Sequence, residues 1–69
     1  MSEKRLELKG ELARQDMRHR DLAGKLRGLG HPVEADDIGR IVSRRWDPPA
    51  QIKKAIADIL GRPSFELFT

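Results

Sequence analysis

The sequence predicts an all-α domain, a compact bundle of four helices closed by a short hydrophobic C-terminal turn. Three observations carry that expectation. Apolar residues recur at helical spacing, as at Leu22, Leu26 and Leu29 or at Ile52, Ile56 and Ile59. Glycine and proline punctuate these stretches at short intervals. No stretch alternates apolar and polar residues as a half-buried strand must. The 69 residues fit one domain spanning 1–69, and a chain so short buries only about 60% of its unfolded surface.

The first helix is expected over about residues 3–15, where Leu8 and Leu12 stand four apart with Leu6 and Ala13 flanking them. Glu3, Lys4, Glu7, Lys9, Glu11 and Arg14 fill its charged faces, and Gly10 costs it about 1 kcal/mol relative to alanine. A second helix, about 19–29, carries Leu22, Leu26 and Leu29, with Met17 packing on its first turn. Gly28 and Gly30, then Pro32, end it, because glycine tolerates the left-handed C-terminal geometry and proline cannot continue the helix. The third helix, about 35–45, has Ile38, Ile41, Val42 and Trp46 on one stripe. Asp36 and Asp37 open it and Arg44 and Arg45 close it, as the helix dipole prefers. The fourth, about 48–60, takes Asp47 as N-cap, Pro48 as first residue and Gly61 as C-terminal stop, around a buried stripe of Ile52, Ile56, Ile59 and Leu60. Residues 63–68 then turn back and bring Phe65, Leu67 and Phe68 over the core as a lid.

Composition excludes several functions. Without cysteine there is no disulfide, thiolate metal site or cysteine nucleophile. The opening MSEKRLELKG has no apolar centre and does not read as a signal peptide. No apolar run approaches the roughly 20 residues that span a bilayer, so a soluble, cytoplasmic protein without a membrane partner is expected. His19 and His31 lie in different segments without metal-ligand spacing, and read as surface or packing histidines. Ser43 has no base within helical reach, and the GLG at 28–30 lacks the strand and third glycine of a dinucleotide loop. Asp36 and Asp37 point about 100° apart on a helix and do not converge on a metal. The expectation is a non-enzyme with no catalytic residues, no metal or other cofactor and no small-molecule substrate.

RHRDLAGKL resembles the second helix of the phage-repressor group of DNA-binding domains (the Cro, cI and Ner-like regulators), in which a Leu-Ala pair packs against the recognition helix. Leu22 and Ala23 stand in those places, and DIGRIVSRRW is similar to the recognition helix, with Ile38 and Ile41 as its buried pair. PPAQIKKAIADILGRPSFELF is similar to the fourth helix and closing tail of Ner-like proteins. The resemblance covers residues 6–68 and implies a helix-turn-helix made by helices two and three. Leu22 and Ile38 stand sixteen positions apart, about five more than in that group, whose helices are joined by a turn of about 3–4 residues. The long spacing is similar to that of a family of small uncharacterised bacterial helix-turn-helix-like domains.

What the resemblance implies is a regulator that binds double-stranded DNA as a homodimer. With the third helix in a groove, Asp36, Gly39, Arg40, Ser43 and Arg44 face outward. Arg40 and Arg44 are the candidates for guanine edges, and Asp36 for a cytosine amino group. Ser43, Arg45, Gln51, Lys54 and the amides opening the fourth helix are candidates for phosphate. Arg18, His19 and Arg20 match the place where the group grips the backbone, His19 standing where a glutamine is usual. The alternative is a helical protein–protein interaction module. Residues 34–47 hold three bases against four acids, a net of −1 in a chain of +3, and an Asp36–Arg40 pair at i, i+4 needs no DNA.

Overall fold

The computed structural model describes residues 8–68, which form five helices: α1 Leu8–Arg14, α2 His19–Gly28, α3 Ala35–Val42, α4 Ala50–Leu60 and α5 Ser64–Leu67. There is no strand among the described residues. The expected start of α1 at residues 3–7, Leu6 included, lies outside them. The closing turn is itself a single helical turn, α5.

Helix α2 is the centre of the fold, packing on both α3 and α4, while α5 folds back on α4. Leu22, Ala23 and Leu26 of α2 are fully buried, as are Ile38 of α3 and Ile56 of α4. Leu8 and Leu12 seal one side from α1, and Leu67 does so from α5.

All four longer helices stop in the same way. Asp16, Gly30, Arg44 and Gly61 each adopt a positive φ, at 55°, 93°, 64° and 71°. In each case the next residue's amide reaches back five positions: Met17 to Leu12, His31 to Leu26, Arg45 to Arg40 and Arg62 to Ala57. This satisfies a carbonyl that the ended helix leaves open. The device corrects the expected end of the third helix, which stops at Val42 rather than 45 because Arg44 turns left-handed. A Cβ at Gly61 would meet nothing within 4 Å, so substitution there is a purely conformational matter. Gly61→Ala is expected to cost about 1 kcal/mol, read as a lowered denaturant midpoint with unchanged slope.

The helix starts differ from expectation too. Helix α4 begins at Ala50 with Pro49 as its N-cap, not at Pro48 behind Asp47. Asp47 instead pairs with Lys53 at 2.7 Å, and the Lys53 ammonium lies 5.7 Å from the Phe68 ring centroid. Helices α2 and α3 share one N-terminal device: Asp21 accepts from the Arg18 amide and Asp37 from the Glu34 amide, both at 3.0 Å. In each, an acid three residues into the helix satisfies the amide that precedes it.

Two large apolar side chains depart from expectation. Leu29 was expected in the buried stripe of α2 but is 59% exposed, and Phe65 was expected in the lid but is 68% exposed. Ala13 is exposed as well. The gap under the long turn is filled by Val33, which is buried. Its amide donates to His31 O at 2.8 Å, making a three-residue turn around Pro32. Arg27 Nη1 closes this turn by donating to Val33 O at 2.9 Å, and it pairs with Glu34 at 3.3 Å.

Glu11, expected on a charged face, is the one acid buried among the described residues, at 2% exposure. Gln15 Nε2 donates to Glu11 Oε2 at 2.6 Å and to the Leu60 carbonyl at 2.8 Å, tying the end of α1 to the end of α4. Arg14 Nη1 and Arg62 Nε pair with Glu11 Oε1 at 3.2 and 3.3 Å. The Gln15 hydrogen bond holds the Glu11 carboxyl below its ordinary value; burial pushes the other way, and the two guanidinium groups add to the lowering.

Candidate nucleic-acid interface

The expected DNA-facing residues occupy three separate places. The first is the outer strip of α3. Asp36 and Arg40 are exposed there on either side of half-buried Gly39, and Ser43 is the exposed C-cap that follows. These positions recur at i, i+3, i+4 and i+7 and therefore share one face. The strip lacks a side chain at Gly39, where a Cβ would meet the His19 ring at 3.8 Å from Nδ1.

Arg40 pairs with Asp37 at 2.9 Å, not with Asp36 as the spacing of four suggested. Asp37 thus does two jobs, capping α3 through Oδ2 and holding the guanidinium through Oδ1. Asp36 is left on the open strip with no hydrogen bond or ion pair among the described residues. Ser43 donates its hydroxyl to Arg40 O at 3.3 Å, so that group is engaged with the helix end. Arg44 and Arg45 fall beyond the helix, in the left-handed stop and the residue after it, and so do not continue the face of Arg40.

The second place is the start of α2. Arg18 is its N-cap, and His19 and Arg20 are its first two residues, all exposed. The His19 ring lies over the open Cβ position of Gly39, which sets this end of α2 beside the strip of α3. Arg20 looks the other way, into a shallow depression shared with Met17, Gly24 and Lys25.

The third place stands apart. Gln51 and Lys54 share a depression with Leu29, His31, Ala55 and Asp58, beside the end of α2, about 15 Å along the helix from Arg18. Lys54 pairs with Asp58 at 3.4 Å. At the opening of α4, Pro48 and Pro49 have no N–H, and the Ile52 and Lys53 amides already donate to Pro49 O. Only the Ala50 and Gln51 amides remain for an anion.

The structure therefore brings Arg18, His19, Asp36, Arg40 and Ser43 to one region and leaves Gln51 and Lys54 at another. Sequence reading missed the partner of Arg40. The signal for it was the spacing RHRD and EADD, in which an acid falls at the third helical position of both α2 and α3. Among the described residues, no group of three or more acids or histidines could hold a metal, and no helix is long and apolar enough to cross a membrane. Comparison with family models, curated proteins and solved structures finds no match for this chain.

Proposed function

We propose that the chain is a small DNA-binding regulator of transcription that lays α3 into the major groove of a duplex. The observation that supports this reading is the juxtaposition of an exposed α3 strip bearing Arg40 with the basic start of α2, joined by the His19 ring against Gly39. Arg40 is the base reader, its guanidinium fork suited to guanine O6 and N7, and it exchanges Asp37 for the base on binding. Arg18 and His19 hold the phosphate backbone beside it. Eight residues make α3 about 12 Å long, enough to read a few base pairs. One copy makes few phosphate contacts, so a homodimer reads two half-sites roughly 34 Å apart.

A second reading, a protein-interaction module, is favoured by the Arg40–Asp37 pair at 2.9 Å and by the net acidity of residues 34–47. Fluorescence anisotropy on a pool of labelled duplexes at about 50 and 200 mM salt separates the two. A regulator loses affinity steeply with salt, and one duplex still stands out at the higher concentration. A folded protein that binds no duplex at either salt is the interaction module.

The two basic positions are expected to behave differently. Arg40→Ala weakens the preferred duplex by about 1–3 kcal/mol and relaxes preference at one base pair. Arg18→Ala weakens every duplex alike and lowers the salt slope by about 1. Unchanged affinity in Arg40→Ala removes α3 from the mechanism.

A further inference from the structure

The outer face of α4 carries Gln51, Lys54, Ala55 and Asp58 at i, i+3, i+4 and i+7, with Leu29 and His31 of the long turn alongside. Together they line a shallow groove whose floor is Ala55, small and 7% exposed. Leu29 is one of two large hydrophobic side chains left exposed among the described residues, although it follows directly on the buried stripe of α2. The face has one positive and one negative side chain, Lys54 and Asp58, which pair with each other at 3.4 Å along α4, in a chain of net charge +3.

We infer that this face is a self-association surface, and that its occupant is the same face of a second copy, with the two α4 helices antiparallel. Charge order decides the occupant and the direction. A polyanion gains nothing from a neutral face when basic ones are available elsewhere on the molecule. Across a twofold axis, antiparallel helices invert the order of Lys54 and Asp58, so the two intrahelical pairs meet in reverse and each Lys54 also faces Asp58 of the other copy, four charges alternating in sign. A parallel arrangement would oppose lysine to lysine. The axis passes close to Ala55, whose small side chain lets the backbones approach, and each Leu29 leaves water against the other copy. Such an interface is self-complementary, as a twofold contact must be.

This inference names a face for the homodimer of the proposed function without resting on DNA binding: association is read in the absence of DNA, and duplex affinity is read separately. The face presents a single large apolar anchor, Leu29, so the dimer is weak, with a dissociation constant on the order of 100 μM. Sedimentation velocity on the full chain, from about 10 μM to 1 mM, tests it over that range. The expected result is a concentration-dependent shift from monomer to dimer. Lys54→Glu and Asp58→Lys each weaken association about tenfold or more by opposing like charges, and the double variant restores it. Leu29→Glu abolishes association in either charge background. All three positions are on the surface, and unchanged far-ultraviolet circular dichroism verifies that the variants fold. A wild-type chain that stays monomeric throughout overturns the inference, as do single variants that associate normally or a double variant that fails to recover.

Discussion

Ile56→Ala is expected to cost about 2–5 kcal/mol, more than any other single change considered for this chain. Ile56 is fully buried on α4, the helix that packs against both α2 and α5, so removing its branched end leaves a cavity that the surrounding helices cannot all close on. In a domain of this size each kcal/mol lowers the melting temperature by about 4–8 °C. The loss is therefore comparable with the whole stability of a marginal fold. Thermal denaturation followed by circular dichroism reads it directly. An unchanged transition would mean that α4 does not lie in the core.

Removing Glu11 is the second large effect. Glu11→Ala takes away the acceptor that Gln15, Arg14 and Arg62 share, at a cost of about 1.5–3 kcal/mol for hydrogen bonds to a buried charge. Unlike Ile56, this residue also gives stability a pH dependence. Its folded-state carboxyl is held below the ordinary value of 4.5, so the folded form binds a proton less readily than the unfolded one. The contribution is fully present above the ordinary value and is lost as pH falls through the lowered one. Chemical denaturation across that acid range is expected to show a falling limb in the wild type. Glu11→Gln, which keeps the shape and loses the charge, flattens that limb; an unchanged limb would show that other carboxylates govern acid unfolding.

The core was legible in the sequence because its physics is periodic. Leu22, Ala23 and Leu26, then Ile38 and Ile41, then Ile52, Ile56 and Leu60, follow the helical repeat, and all are buried. Gly61 announced its own role as a helix stop. Arg44 did not, because nothing in an arginine advertises a left-handed backbone and the fold imposes it; Asp16 is of a type that tolerates this conformation, but aspartates at other places in the chain do not adopt it. That concealed stop shortened α3 and took Arg44 off the proposed reading face. Leu29 fitted the repeat of α2 as well as Leu26 does, but α2 ends at Gly28 and Val33 takes the space beneath the turn. Glu11 was unreadable for the opposite reason. It lies three residues from Leu8 and beside Leu12, within the buried arc, and a carboxylate is tolerable there because Gln15, Arg14 and the distant Arg62 all donate to it.

The clasp between Gln15 and the Leu60 carbonyl joins groups 45 positions apart. The pairing of α2 with α3 closes a far shorter loop. Loop-closure entropy therefore favours early formation of the α2–α3 pair, with the clasp made once α4 has docked. An interaction absent from the folding transition state acts on the rate of escape from the native state, not on the rate of reaching it. The buried carboxylate of α1 is in that sense a kinetic latch: two polar side chains at the end of α1, Glu11 and Gln15, govern how long a small domain without a disulfide stays closed.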